Sequence, residues 1–284
     1  MSSPNDEPLR VQPGNQLTAD RLSSAPGPVI AVTDVATFHK TREARTQLGS
    51  VFAFDLEGAI PDRSTFWWNP LRTARGAAAA ARISHELTKG FRRTRRQYHN
   101  ATLIQLADAM RHLILAAINK DETLLKVQEW AATQSEEPVR ILADSGSNTQ
   151  AKLLGSLLKT PHDHRGTIFE GLDDHLQEVL DDTAAACVAA SARNKPGDPP
   201  AKPEFTPWQL FDADSHGIAS LYIITSRADS PENLLISMLT VELTAFAIMY
   251  ARLMGGKIYP PLSIASPRLP RMMKSHEIGI IPQI

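Results

Sequence analysis

Pro28-Val-Ile-Ala-Val-Thr33 and Ser50-Val-Phe-Ala-Phe-Asp55 decide the fold class of this chain. Each is a short apolar run rich in β-branched or aromatic residues, the pattern of a strand buried on both faces of a parallel sheet. Asp34 follows the first run and is placed to cap a helix from Val35 to Leu48, which Gly49 can end. Strand, helix and strand within 28 residues make a βαβ unit, so the two strands lie parallel. The pattern returns late in the chain. Leu221-Tyr-Ile-Ile-Thr-Ser226 reads as a strand, Pro231 to Met254 as a long apolar helix ended by Gly255-Gly256, and Pro260-Pro-Leu-Ser-Ile264 as another strand.

Between these two stretches the character changes. From Thr73 to about Ser191 the sequence is helix-rich, and no β-run of useful length interrupts it. Ala77 to Ala81 opens a helix that runs into the basic segment after Lys89. Leu103, Leu106, Ala107, Met110, Leu113, Ile114 and Ala117 recur at helical spacing over 102–118. Further helices are expected at 121–132, 148–158 and 167–192. Residues 193–208 hold Pro196, Pro199, Pro200, Pro203 and Pro207, the composition of a stiff, exposed connector. Residues 1–27, with Pro4, Pro8, Pro13 and Pro26 among polar residues, read as a disordered leader. The expected fold class is therefore α/β: a parallel sheet assembled from 28–72 and 209–284 and split by an inserted all-α domain at 73–192.

The chain has 284 residues, 42% of them hydrophobic, and a formal charge of −1. That suits a soluble globular protein and excludes a globally polyanion-binding surface. One cysteine, Cys187, allows no internal disulfide and suits a reducing cytoplasm; it reads as a buried small hydrophobe. No positively charged start followed by an apolar stretch marks a signal peptide. Leu234 to Tyr250 is the one membrane candidate. Glu242 near its middle would cost about 3 kcal/mol in lipid, so a buried core helix is the preferred reading.

Chemistry-bearing motifs are few. A phosphate cradle needs G-x-x-x-x-G-K-[ST], and the only Gly-Lys pair is Gly256-Lys257, with Ala at 251 and Ile at 258. No G-x-G-x-x-G and no G-x-S-x-G elbow occurs. His162-Asp163-His164 follows Pro161 on an expected loop but has no third ligand within sequence reach, so it reads as a polar turn. Asp173-Asp174 and Asp181-Asp182 read as the acidic face of one helix. No catalytic, cofactor-binding or metal-ligating residue is assigned. Lys89, Arg92, Arg93, Arg95 and Arg96, five cations in eight residues flanked by Phe91 and Tyr98, could contact phosphates and stack on bases. A solvated helix face paired to its neighbours is the preferred alternative.

Several segments together resemble a known family. Pro28-Val-Ile-Ala-Val-Thr33, Leu48-Gly-Ser-Val-Phe-Ala-Phe-Asp55 and Trp68-Asn-Pro-Leu71 resemble the region after the Walker A helix in TraG/VirD4-type conjugative coupling proteins, the ATPases of type IV secretion. The likeness continues in Val127-Gln-Glu-Trp130, in Gly217-Ile-Ala-Ser-Leu-Tyr-Ile-Ile-Thr225 and in Gly255-Gly-Lys-Ile-Tyr-Pro-Pro-Leu262, and its actinobacterial branch is the most similar. The resemblance implies an incomplete RecA-like parallel sheet with an inserted all-α domain that recognises a substrate or relaxosome component.

The departures matter as much. The family's membrane helices and its Walker A loop have no counterpart before Pro28. After Pro261-Leu-Ser-Ile264 the family continues an apolar strand ending in Asp-Glu, whereas Ala265-Ser-Pro-Arg268 stands here and the next acid is Glu277. The expectation is a truncated, catalytically inactive relative that needs no cofactor. It would sit in the cytoplasm or at the inner face of the plasma membrane, meeting the membrane only indirectly. Its expected partners are a full-length coupling protein or relaxosome component, or a second copy of itself. Two alternatives stay open: a single-stranded-DNA-binding adaptor using the basic run, and one part of a split ATPase completed by a partner chain.

Overall fold

The computed structural model describes residues 19–60, 64–89, 100–189, 202–225, 233–256 and 258–265. In chain order the elements are α1 (Ala19–Ser23), β1 (Val29–Thr33), α2 (Val35–Thr46), β2 (Val51–Asp55), α3 (Gly76–Thr88), α4 (Asn100–Lys120), α5 (Leu124–Thr133) and α6 (Glu137–Asp144). There follow α7 (Asn148–Leu158), α8 (His162–Val179), α9 (Asp182–Val188), a 3-10 turn at Pro207–Leu210, α10 (Ala213–His216), β3 (Ser220–Ile224), α11 (Asn233–Leu253) and β4 (Ser263–Ala265). Among the described residues the chain is mixed α/β and mostly helical, with a four-stranded, all-parallel sheet in the order β2-β3-β1-β4. It forms two compact units. The first draws on Met1–Phe66, Phe205–Ala228 and Thr240–Ile284; the second on Trp67–Glu204 and Asp229–Leu239, so the division falls inside α11.

The sheet unit is built from the two strand–helix–strand segments. Asp34 caps α2 as its position suggests, its carboxylate accepting the Thr37 N–H at 2.7 Å. On one face of the sheet Ala31 and Ala53 are small, which leaves room for Phe38 and Tyr222 to pack ring against ring at 5.2 Å. Leu22 and Ala25 complete that layer. The other face carries Phe52 and Phe54 against Phe66 and Phe205; Phe54 stacks on Phe66 at 5.6 Å. Each fully buried phenylalanine of this kind contributes roughly 1.5–3 kcal/mol. At the amino end of the strands Gly49 and Gly217 form an antiparallel bridge. A Cβ on Gly49 would stand 2.5 Å from the His216 carbonyl oxygen, and Gly217 has φ of 61°, so both positions demand glycine.

The second unit is organised on α4, which packs against α3, α5, α6, α7 and α8. Its buried side chains, from Leu106 through Ala117, follow the spacing read from the sequence. Trp68-Asn69-Pro70-Leu71 is a buried clip in the same unit. The Trp68 N–H donates to the Cys187 carbonyl at 2.8 Å. The Asn69 side chain accepts the Leu71 N–H at 3.0 Å and donates to the Glu122 carbonyl at 3.2 Å. Arg72 beside the clip bonds both oxygens of Glu204, at 2.7 and 3.1 Å, and also pairs with Asp121.

Several expectations need correction. Residues 19–27 are not a disordered leader: α1 forms there and Leu22 joins the core, because its apolar side chain reaches the face of α2. Residues 1–18 lie outside the described residues. The helix expected over 167–192 is two, since Asp181 caps a new helix by accepting the Thr183 and Ala184 N–H groups. Asp173 and Asp181 therefore do not share one helical face. His162-Asp163-His164 is the first turn of α8 and not a loop. Of the exposed connector, 193–201 lie outside the described residues; Glu204 bridges Trp67 and Phe205 is 2% exposed in the aromatic layer. A helix at Glu137–Asp144 was not foreseen.

Candidate functional site

Open parallel sheets bind ligands at the carboxyl ends of their strands, where crossover connections diverge. Here β1 crosses to β2 and β3 crosses to β4, so that place lies at the ends of β1 and β3. Thr33, Asp55 and Thr225 stand at or just beyond strand ends there, with Asp34 and Glu57 close in sequence. Their polar groups are turned to local work. Asp55 is fully buried and accepts the Glu57 N–H at 3.1 Å and the Ile60 N–H at 2.8 Å, closing the loop after β2. The Ser64 hydroxyl accepts the Asp55 N–H at 2.8 Å. Thr225 donates its hydroxyl to Glu57 at 2.7 Å, and its N–H to the Thr33 carbonyl at 3.0 Å. These groups fasten strand ends and loop to one another. The fourth strand brings Ser263, Ile264 and Ala265 alongside Val29, Ile30 and Ala31, and no carboxylate.

The opposite, amino end of the sheet holds the most heavily bonded buried cation among the described residues. Arg45, on the last turn of α2, is fully buried. Its guanidinium donates to the Ser220 hydroxyl at 2.7 Å and to the carbonyls of Ala25 at 2.6 Å and Gly27 at 2.9 Å. Burial pulls its pKa below the ordinary arginine range, and the neighbouring Tyr222 opposes that shift. Tyr222 itself is pushed up by burial and shares a 2.8 Å hydrogen bond with the Thr41 hydroxyl. These contacts join α2 to the starts of β1 and β3. That is a structural clip rather than a reactive centre.

The basic run is only partly visible. Lys89 directs its ammonium to both oxygens of the buried Glu86, each at 2.7 Å, and the Ser237 hydroxyl donates to the same carboxylate at 3.4 Å. Arg92, Arg93, Arg95 and Arg96 lie outside the described residues. Lys89 thus belongs to an intramolecular pair. His162 and Asp163 are both highly exposed, 3.7 Å apart. Among the described residues no three of His, Cys, Asp or Glu stand together in a way that could hold a metal ion. The chain matches no protein-family model and no curated protein.

Two buried histidines escaped the sequence reading. His112 on α4 is 4% exposed, and its Nε2 has no hydrogen-bond partner. His175 on α8 bonds the Leu87 carbonyl through Nε2 at 2.8 Å. Burial is the largest cause holding both below the ordinary histidine range; Arg111 adds to the shift at His112, and Asp108 opposes it. Their signal was a polar residue at an apolar helical position, His112 falling between Ala109 and Leu113.

Among the described residues, two helices meet the length and composition needed to cross a membrane: Asn100–Lys120, half buried, and Leu234–Leu253, 44% buried. The first was not foreseen. The second is less enclosed than the core helix expected from its sequence. Helices in the core of a soluble protein pass the same test, and the structure is compatible with a soluble protein.

Proposed function

We propose that this chain is a non-hydrolysing relative of the type IV secretion coupling ATPases, acting through recognition of a partner and without nucleotide chemistry of its own. On this reading the parallel sheet is an incomplete RecA-like domain, and the helices around α4 are an all-α domain inserted into it. The order of the resembling segments along the chain supports the reading.

The observation that carries the absence of hydrolysis is the end of β4. A nucleotide-hydrolysing sheet needs a carboxylate there to hold Mg²⁺ and orient water. Here Ile264-Ala265 is followed by Ser266-Pro267-Arg268; Asp34, after the neighbouring β1, caps α2 by accepting the Thr37 N–H, and Asp55, at the end of the far edge strand, is engaged with its own loop. The partner this reading favours is a full-length coupling ATPase or a relaxosome protein, met on the cytoplasmic side of the membrane. Phosphate release from ATP with Mg²⁺, assayed with and without single-stranded DNA, tests it. The full chain is expected to give no more phosphate than buffer. Turnover that survives repurification would overturn the reading.

A further inference from the structure

The end of α11 and the turn after it stand open to solvent and carry large apolar side chains. Leu253 is 72% exposed, Met254 59% and Tyr259 91%. The helix closes with the Gly256 N–H donating to the Ala251 carbonyl at 2.7 Å. A Cβ built on Gly255 or Gly256 would meet nothing within 4 Å, so the turn stands clear of the other described residues. Ile258, between Met254 and Tyr259 in the sequence, is buried and anchors the turn. Five residues of chain hold Met254 and Tyr259 within about 18 Å of each other.

The charges beside this tip select its occupant. Arg252 is exposed, and no ion pair holds it among the described residues. Between Glu242 and Glu277 the sequence contains Arg252, Lys257, Arg268, Arg271 and Lys274 and no acid. Glu242 itself is half-buried, about three turns back along α11. A nucleic acid would use the cations but not a solvent-exposed leucine and methionine. A second copy meeting the same tip about a two-fold axis would set cation against cation. An anionic phospholipid surface takes both features. Apolar side chains enter the acyl boundary, tyrosine settles at headgroup level and cations face the phosphates.

We propose that this tip is a peripheral membrane-contact site. Leu253, Met254 and Tyr259 enter the headgroup layer of an anionic phospholipid bilayer, and Arg252 meets its phosphates. The chain rests on the bilayer by this tip and does not cross it. The contact is direct, beyond the indirect one expected from the sequence, and it is independent of the nucleotide reading above.

Flotation of the full chain with vesicles is the test. The chain is expected to float with phosphatidylcholine and phosphatidylglycerol in equal parts, and to stay behind with phosphatidylcholine alone. Leu253→Ser combined with Met254→Ser, and separately Arg252→Glu, are each expected to weaken binding at least about tenfold. Circular dichroism should stay at the wild-type level, because these side chains are exposed. Tyr259→Trp should shift tryptophan emission to the blue when anionic vesicles are added, which reads the tip directly. A wild type that does not float overturns the proposal. So does flotation that the Leu253 and Met254 exchange leaves intact, or a Tyr259→Trp emission that anionic vesicles leave unmoved. Binding of single-stranded DNA or of a second copy, without vesicles and lost on the same exchange, overturns it as well.

Discussion

Arg45 in the sheet unit and His112 in the helical unit are both buried, yet four acceptors surround one and the other leaves a ring nitrogen unbonded. The difference follows from the backbone around them. Before a strand begins, the carbonyls of the incoming loop have no partner in the sheet, and a buried guanidinium can gather several of them. In a bundle, each helix satisfies its own interior carbonyls, so a buried imidazole finds little to bond. A polar side chain near a strand start can therefore act as a clip, while one deep in a helix face is a liability unless, as His175 does, it reaches a carbonyl in the last turn of another helix. Asn69 agrees with this, since its bonds go to a loop N–H and to a carbonyl between two helices.

The largest test of that contrast is Arg45→Met. Removing the guanidinium strands the Ala25 and Gly27 carbonyls and the Ser220 hydroxyl, and the chain should lose roughly 3 kcal/mol or more in urea unfolding. A loss below about 1 kcal/mol would show that water or other donors replace it, and the clip would not exist. Asn69→Leu should cost roughly 2 kcal/mol by the same measurement, through the unpaired Glu122 carbonyl and Leu71 N–H.

His112→Leu should go the other way. Replacing an unbonded imidazole with an apolar side chain is expected to leave stability unchanged or raise it by about 1 kcal/mol. Its pH signature sharpens the contrast. The folded protein holds His112 and His175 below the ordinary histidine pKa of 6.5, so below that pH the unfolded chain binds more protons than the folded one. The stability these neutral rings contribute is complete above about pH 6.5 and falls as the pH drops toward their folded values. His112→Leu should shallow that acid limb; an unchanged limb would place the sensitivity elsewhere. Last, Asp34→Ala should cost about 1 kcal/mol, the usual worth of an N-cap, with Asp34→Asn recovering most of it.

The strands and the helices were unequally legible. Val29–Thr33, Val51–Asp55 and Ser220–Ile224 stand out because a doubly covered strand must be apolar along its whole length, and Asp34 marks the start of α2 unmistakably. The strand order β2-β3-β1-β4 is not visible in those runs, because any parallel order buries them equally well. In the helical unit the boundaries failed where capping decides them. Asp181-Asp182 looks like helix surface, and only the Asp181 carboxylate turned onto the next N–H groups shows that a helix begins there. Phe205 failed for another reason. Five prolines around it suggested an exposed connector, but one large aromatic ring outweighed them when Phe52 and Phe66 left it a place. Of the site, the missing acid after Ile264 could be read directly. The engagement of Asp55 with its own loop and of Lys89 with Glu86 could not, because both depend on neighbours that fold against them.

Among the described residues the strand ends of the sheet bond to one another and to their own loop, and on that ground we propose that the sheet holds no nucleotide. Isothermal calorimetry of the full chain with ATP, titrated with and without Mg²⁺, tests it most directly. No saturable heat in the micromolar range is the result predicted; tight binding that requires Mg²⁺ would contradict it.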